Sequence, residues 1–278
     1  MFELLLTSFL LILFILALYI IWRINARKYI SSGTVASAYD AWTQDKLLER
    51  LWGEHIHLGF YPSQKKNIDF REAKVRFVHE LVKWSGLDKL PKGSRILDVG
   101  CGIGGSSRIL AKYYGFNVTG ITISPAQVKR ARELTPIGLN CNFQVMDALD
   151  LKFEDGSFDA VWSVEAGAHM NDKTRFADEM LRTLRPGGYL ALADWNSRDL
   201  KAYPPSFVER LVLKQLLEQW VHPNFISINE FGNILKINKN SAGKVISDNW
   251  NVYTNPSWKD SIIEGMRRPF SILSLGPL

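Results

Sequence analysis

The chain has 278 residues, enough for one large domain or two modest ones, and 46% hydrophobic with 22% charged residues is the balance of a globular protein with a substantial core. The net charge of +6 is not concentrated in a basic run, which argues against a nucleic-acid partner. Cys101 and Cys141 are the only two cysteines and lack the spacing of metal ligands, which argues against a disulfide framework and fits a reduced compartment.

The first element is a nearly uninterrupted apolar segment, Leu4 to Trp22. As a helix it would be about 28 Å long, close to the thickness of the hydrocarbon core of a bilayer. Three basic residues follow within 23–28, whereas only Glu3 is charged before it. The positive-inside rule then predicts a single N-terminal transmembrane helix over residues 1–28, with the folded part on the cytoplasmic side. A cleaved signal peptide would need a basic region before the apolar segment.

Residues 29–92 are expected to form a flap and helices ahead of the main domain. The stretch Tyr39 to Tyr61 is dense in aromatic residues and histidine. His55 and His57 alternate, so both point the same way in an extended segment. Either histidine alone would be an ordinary loop residue, but together with their aromatic neighbours they indicate an ordered flap over a pocket.

The most informative stretch is Ser94 to Gly105, SRILDVGCGIGG. It predicts a short buried strand, a glycine-rich turn and a helix from about residue 106. The glycines leave no side chains between the backbone and a ligand at the helix N-terminus. The spacing satisfies G-x-G-x-x-G, which alone is a weak signal for a dinucleotide site. A turn without a ligand is disfavoured, because four glycines in six positions destabilise a purely structural turn.

Asp98 and Thr122 distinguish between two classes of ligand. Asp98 lies two residues before the first glycine, so its carboxylate faces the ligand and would repel a pyrophosphate. It suits S-adenosylmethionine, which carries an ammonium group and a positive sulfur. An NAD-binding fold normally offers an acid at the end of the next strand, about 20 residues on. Thr122 stands there instead, so we predict a methyl-donor site.

Strand-like and helix-like stretches alternate five times from residue 93 onward. This alternation predicts an α/β domain with a parallel, doubly wound, Rossmann-like sheet that binds ligands at the C-terminal ends of its strands. Four polar residues stand at or next to those ends: Asp98, Thr122, Asp147 and Glu165. One shared site therefore explains them better than four unrelated surface positions.

The predicted core domain spans 93–278 and contains a helical insertion, interpreted as a cap, at about 196–237. After the cap, residues 244–247 and 250–254 are expected to close the sheet as an antiparallel pair. Gln127 stands where a capping box has its partner, so helix capping and ligand binding are equally open for it.

Four stretches together resemble the class I S-adenosylmethionine-dependent methyltransferases: LDVGCGIGGSSRILA, VTGITISPAQV, VWSVEAGAHMNDK and LRPGGYLALADW. Within that class, WGEHIHLGFY and the Thr-Ile-Ser…Gln pattern of 122–127 resemble the tocopherol-pathway methyltransferases over nearly the whole chain. The resemblance implies S-adenosyl-L-methionine as cofactor. It also implies a prenylated benzoquinol, 2-methyl-6-phytyl-1,4-benzoquinol, as substrate in tocopherol and plastoquinone biosynthesis. Relatives usually continue beyond the position of Leu278, so we expect a truncated or short C-terminus.

The same resemblance implies which residues bind the donor. Its methionine part is expected near the glycine turn, its ribose hydroxyls at the end of the second strand, and its adenine at the end of the third. In that order the implied residues are Asp98, Gly100, Gly102, Gly104, Thr122, Gln127, Asp147 and Ala148.

Methylation of a ring carbon beside a phenolic oxygen calls for a general base, because removal of the phenol proton makes that carbon more nucleophilic. Histidine has a suitable pKa, and a carboxylate can orient it or bind the quinol hydroxyl. The expected catalytic residues are therefore Glu165, His169 and His57. Packing at a helix start is the alternative role for His169.

A membrane anchor fits a substrate whose phytyl tail stays in lipid, so a membrane is an expected partner, either plasma or thylakoid. The alternatives are a γ-tocopherol methyltransferase, a methyltransferase for a small amine or a phospholipid headgroup, and a non-enzymatic membrane protein that senses a nucleotide or the methyl donor. Residues 166–170 read AGAHM where γ-tocopherol methyltransferases tend to show SGEHM, which favours the earlier quinol. The sequence does not indicate the oligomeric state.

Overall fold

A computed structural model describes residues 2–24, 28–62, 68–241 and 243–267, without the side chains of 2–5, 21–24 and 47. Within this part the fold is a five-stranded parallel sheet in the order β3-β2-β1-β4-β5. The strands are β1 (Arg95–Val99), β2 (Asn117–Thr122), β3 (Cys141–Val145), β4 (Phe158–Val164) and β5 (Leu184–Ala193). The order reverses direction at β1, which places the topological switch point between β1 and β4.

Helices surround this sheet and extend from it at both ends of the chain. They are α1 (Phe2–Ile24), α2 (Ser32–Gln44), α3 (Leu47–Trp52), α4 (Phe70–Ser85), α5 (Gly105–Tyr114), α6 (Pro125–Leu134), α7 (Lys173–Thr183), α8 (Phe207–Trp220), α9 (Ile228–Ile237) and α10 (Asn251–Arg267). Several begin where the sequence provides a cap: Ser124 accepts a hydrogen bond from the backbone of Gln127 ahead of α6, and Asp172 accepts one ahead of α7.

The sheet is buried on both faces, as a parallel sheet with crossover helices must be. Ile96 of β1 packs in one core with α4 and α5, whereas Leu97 and Val99 pack in the other with α7 and α9. Trp162 of β4 is wholly buried in the first core. The predicted α/β, doubly wound parallel sheet is therefore confirmed.

The predicted N-terminal transmembrane helix over residues 1–28 is wrong. The segment is helical as α1, but no helix within the described residues is long and apolar enough to cross a membrane. The localisation that rested on this span, membrane-anchored with a cytoplasmic domain, is corrected with it.

The predicted antiparallel pair near the C-terminus is also wrong. Residues 244–250 form no strand, and α10 starts at Asn251. The apolar residues of this stretch instead pack against aromatic rings elsewhere in the chain. Trp250 packs edge-on against Phe60 and Phe77, and Tyr253 stacks on Phe60 with ring centroids 4.7 Å apart. The remainder of the predicted core, residues 268–278, lies outside the described part.

The segment 29–61 folds over the C-terminal edge of the sheet and is tied to the core helices. Asp40 of α2 accepts hydrogen bonds from the hydroxyl of Ser124 and from the backbone of Ala126 (3.0 Å) at the start of α6. Two ion pairs follow along the chain, Glu49 with Arg130 at 2.6 Å and Glu54 with Arg108 at 2.7 Å. The segment is therefore held against α5 and α6 by ion pairs and hydrogen bonds; we call it the lid.

Removal of the Asp40 carboxylate is expected to weaken the attachment of the lid. The variant Asp40→Ala leaves a hydroxyl and a helix N-terminal N–H without their acceptor, so the free energy of unfolding should fall by about 1–2 kcal/mol. Urea unfolding of the full chain measures this difference. The control is Asp45→Ala, which removes an exposed carboxylate from the end of the same helix and should change the midpoint little. Equal midpoints for the two variants would show that Asp40 does not hold the lid.

Candidate active site

One cavity at the C-terminal edge of the sheet, beneath the lid, collects ten of the eleven sequence-predicted site residues. They are His57, Asp98, Gly100, Gly102, Thr122, Gln127, Asp147, Ala148, Glu165 and His169. Gly104 is the one that does not line it. A larger opening of about 1170 Å³ runs along the outer edge of β5, but no residue of the glycine turn borders it. The predicted chemistry therefore belongs to the cavity beneath the lid.

The glycine turn needs its glycines for close packing as well as for ligand approach. Gly100 has a φ of +79°, and a Cβ there would lie 2.2 Å from the Cβ of Ala166. Gly104 caps α5 with a φ of +81°, and its Cβ would meet Phe143 at 2.6 Å. A Cβ at Gly105 would meet the carbonyl oxygen of Glu54 at 2.6 Å, so the lid lies directly on the turn. Only Gly102 has open space at its Cβ position among the four.

Asp98 is the buried charge of the turn. It is 2% exposed, it accepts a hydrogen bond from the hydroxyl of Ser107 at 2.5 Å, and desolvation raises its pKa to about 7. A buried carboxylate beside bare backbone favours a cationic ligand, whose charge repays the desolvation of the anion.

The wall of the cavity continues at the ends of β2 and β3. The hydroxyl of Thr122 donates to the side-chain oxygen of Gln127 at 2.6 Å. Ser124 caps the backbone of Gln127, so the Gln127 side chain is engaged at the cavity wall and does not close a capping box. Asp147 accepts a hydrogen bond from the backbone of Leu149 at 2.9 Å, which fixes the loop after β3.

Glu165 lies at the end of β4 with a φ of +53°, a left-handed conformation that is uncommon for a residue with a side chain. Its Oε1 accepts a hydrogen bond from the backbone N–H of Leu58 in the lid at 2.9 Å. Desolvation raises the pKa of Glu165 to about 7. The carboxyl group thus links the lid to the sheet and titrates near neutral pH, as a general base should. Backbone strain of this kind is typical of functional sites.

His169 contacts two residues that sequence analysis did not single out. Its Nδ1 lies 3.3 Å from the carbonyl oxygen of Val221, and its Nε2 lies 2.9 Å from the hydroxyl of Tyr39. A carbonyl only accepts, so Nδ1 carries the hydrogen of the neutral ring and Nε2 accepts from the Tyr39 hydroxyl. Desolvation lowers the pKa of His169 to about 4. Tyr39 lines the same cavity; it belongs to a helix sixty positions before the glycine turn, and no motif pointed to it.

His57 lines the cavity with both ring nitrogens engaged inside the lid. Its Nδ1 donates to the carbonyl oxygen of Leu58 at 2.8 Å, so its Nε2 accepts from Nδ1 of His55 at 3.1 Å. Burial lowers the pKa of His57 to about 3. The side chain of Lys74, itself buried, donates to the carbonyl oxygen of His55 at 2.6 Å and fixes the same stretch of lid.

Asp194, at the end of β5, is a further residue that received no predicted role. Its Oδ1 accepts hydrogen bonds from the backbone N–H groups of Ala168 at 3.0 Å and Trp195 at 2.9 Å. A Cβ at Gly167 would lie 2.2 Å from its Oδ2. Asp194 thus holds the turn that presents His169. The sequence signal that could have identified Asp194 is its position as an acidic residue at the end of a predicted strand next to the site.

The fold and this site define a class I S-adenosylmethionine-dependent methyltransferase, since a buried acid and a bare glycine turn lie at the switch point of the sheet. A profile described as "Methyltransferase domain" matches residues 97–192. The chain is 55% identical over 256 residues to the 2-methyl-6-phytyl-1,4-hydroquinone methyltransferase of Synechocystis sp., covering 92% of this chain and 80% of that protein. The chain belongs to that methyltransferase family, and its cofactor is S-adenosyl-L-methionine.

Two further comparisons concern the family and the fold, respectively. The chloroplastic tocopherol O-methyltransferase of Arabidopsis thaliana is 37% identical over 224 residues, which cover 76% of this chain and 64% of that protein. Among solved structures, the [4+2]-cyclase SpnF has the same fold with a TM-score of 0.72 at 24% identity, covering 90% of this chain and 87% of that one.

Donor binding is expected to weaken as the pH falls below about 7. Burial raises the pKa of Asp98 to about 7, so below that pH the carboxyl is neutral and no longer attracts the cationic donor. The dissociation constant should rise about tenfold per pH unit below the pKa and level off above it. Calorimetric titration of S-adenosylmethionine between about pH 5.5 and 8.5 measures it. Asp98→Asn should bind weakly without the step at pH 7, and a step that persists in this variant would assign the titration to another group.

Proposed function

We propose that the protein transfers a methyl group from S-adenosylmethionine to a ring carbon of 2-methyl-6-phytyl-1,4-benzoquinol in tocopherol and plastoquinone biosynthesis. The single observation that supports this choice of acceptor is the 55% identity to the Synechocystis enzyme, which extends over 92% of this chain. The 37% identity to the Arabidopsis tocopherol O-methyltransferase makes γ-tocopherol the second candidate. Both acceptors are prenylated phenols, so the same kind of site serves either.

The walls of the cavity suit an aromatic acceptor. Eight aromatic or histidine side chains border it besides Tyr39 and His169: Tyr29, Trp52, His55, His57, Trp195, Trp220, His222 and Trp258. Rings of this kind stack on a phenol and exclude water from it. Alignment of acceptor carbon and methyl group in a dry pocket accounts for a large part of the rate enhancement that such a reaction needs.

For the donor we propose the roles that the resemblance implies, supported by the placement of the residues around one cavity. Asp98 would face the cationic methionine part, with Gly100 and Gly102 leaving room for it. The linked pair Thr122 and Gln127 would serve the ribose hydroxyls. Asp147 and Ala148, at the end of β3, would hold the adenine. Gly104 supports the turn by packing against Phe143, and we propose no contact between it and the donor.

For the chemistry we propose Glu165 and His169 as the groups that accept protons from the quinol. When bound, the donor supplies an electrophilic methyl group. Glu165 titrates near pH 7 and can accept a proton at neutral pH, whereas His169 is neutral and offers a lone pair. Both ring nitrogens of His57 bond to its neighbours His55 and Leu58 within the lid, so we assign it the positioning of the lid above the acceptor.

We also propose a functional division of the chain. Residues 29–92 contribute the lid and the helices that support it, and 93–278 form the methyltransferase core with a helical insertion at about 196–237. This division is supported by the hydrogen bonds and ion pairs that cross between the lid and the core, and by helices α8 and α9 after β5.

The proposal predicts turnover on a panel of acceptors with labelled donor. The purified full chain should methylate 2-methyl-6-phytyl-1,4-benzoquinol faster than γ-tocopherol, and it should leave small amines and phospholipid headgroups unmodified. Glu165→Gln and His169→Ala should each lower kcat by about 100-fold or more, because general acid–base groups contribute that much, while donor binding is kept. Glu154→Gln, an exposed position, is the matched control with normal turnover.

The panel separates the possible failures. Normal rates for both Glu165→Gln and His169→Ala would remove this pair from the chemistry. Faster methylation of γ-tocopherol, or of an amine, by the unmodified protein would replace the proposed acceptor.

A further inference from the structure

We propose that Tyr39 is a catalytic residue whose hydroxyl contacts the acceptor hydroxyl and passes its proton to His169. The inference rests on the proposed methylation of a phenol. The proposal adds Tyr39, a residue of the lid, to the pair Glu165 and His169, and it gives the proton of the quinol hydroxyl a path to His169. The observations behind it are the hydrogen bond between Tyr39 and His169, the fixed tautomer of His169, and the shared cavity.

The tautomer of His169 determines the direction of the Tyr39 hydroxyl. The carbonyl of Val221 takes the Nδ1 hydrogen, so the Tyr39 hydrogen points to Nε2 and the lone pairs of its oxygen are left for another donor. Tyr39 borders the cavity and keeps part of its surface open to it. A phenolic acceptor in the cavity offers the O–H group that this oxygen can accept.

The backbone is strained where it presents the Val221 carbonyl. Val221 is β-branched and has a φ of +56°, a conformation that is a genuine outlier for such a side chain. It ends α8, and the following N–H of His222 bonds to the carbonyl oxygen of Leu217. The ring of His222 lies 4.2 Å from that of His169 and covers its face. Strain at this position is explained if orientation of His169 matters for function.

The phenol ring of Tyr39 is held in place from two sides. It meets Trp42 edge-on at 5.2 Å and His169 edge-on at 5.3 Å between ring centroids. The charged groups that act on the pair are Glu165, which raises the pKa of Tyr39 together with burial, and Lys173, which lowers that of His169 further. Tyr39 therefore stays protonated and works as a carrier, not as a phenolate.

The proton path balances as follows. The ring carbon of the quinol forms a bond to the methyl group while the sulfur keeps the electron pair of the broken S–C bond. As this happens the quinol O–H becomes strongly acidic; its proton moves to the oxygen of Tyr39, and the Tyr39 proton moves to Nε2 of His169. Because the quinol O–H is strongly acidic while the C–C bond forms, a weak base such as His169 can take its proton. The hydrogen on the methylated ring carbon then leaves to Glu165, the proton on His169 returns through Tyr39 to the oxygen, and one proton is released overall.

The test is a double-mutant cycle on the full chain. Tyr39→Phe keeps the ring and removes the hydroxyl, so kcat on the quinol should fall about 100-fold or more while donor affinity stays within twofold. Combined with His169→Ala it should lose no more than the more damaging single variant, because the two residues act as one path. Tyr113→Phe, an exposed tyrosine of α5, is the control with unchanged rate. Additive losses, or a Tyr39→Phe rate within threefold of normal, would overturn the proposal.

Two further measurements are informative here. The first distinguishes proton transfer by Tyr39 from a purely structural role of this residue, and the second tests the proton path without depending on which acceptor the enzyme uses. Near pH 10, where a phenol ionises unaided, the deficit of Tyr39→Phe should shrink toward that of the control. Nitrogen-labelled histidine spectra need no acceptor: the unmodified protein should show His169 with hydrogen on Nδ1 and a hydrogen-bonded Nε2 that loses this bond in Tyr39→Phe. Hydrogen on Nε2 would overturn the path whatever the acceptor is. Failure of the unmodified protein to methylate any prenyl quinol would instead contradict the proposed function.

Discussion

A carboxylate with almost no contact with water sits where β1 runs into a turn without side chains, and the rest of the site depends on it. Asp98 has one described hydroxyl partner, Ser107, and its pKa is raised to about 7 by desolvation. Such a group is costly to bury unless a positive charge joins it. The glycines let a ligand reach it, and the lid covers both. Binding of a sulfonium donor beside Asp98 is the explanation that we propose for this arrangement.

The lid covers the cavity and bonds to the polar residues that we propose for the chemistry. Its backbone lies on Gly105, Leu58 donates to Glu165, and Tyr39 donates to His169. The two hydrogen bonds join residues more than one hundred positions apart. The unusual backbone conformations at Glu165 and Val221 occur where the sheet and α8 meet the lid. Strain thus accumulates around the proposed acceptor, as is common where geometry matters for function.

The sequence was sufficient to predict what local patterns and strand ends determine. Asp98, Thr122, Asp147 and Glu165 stand at the ends of successive strands, and a parallel sheet brings such ends together. Tyr39, Val221 and Asp194 were missed, because their roles arise from tertiary contacts that no local spacing shows. The predicted strand pair after residue 243 failed since Trp250 and Tyr253 are apolar for their packing on Phe60. Apolar composition likewise suggested a membrane span, but no helix among the described residues is both long and apolar enough to cross a membrane.

The central claim is that this turn recognises a cationic sulfur compound, and calorimetry with two ligands tests it most directly. The full chain would be titrated at about pH 8, once with S-adenosylmethionine and once with a nicotinamide dinucleotide. The account predicts saturable binding of the first and no heat of binding for the second. Binding of the dinucleotide without binding of S-adenosylmethionine would contradict it.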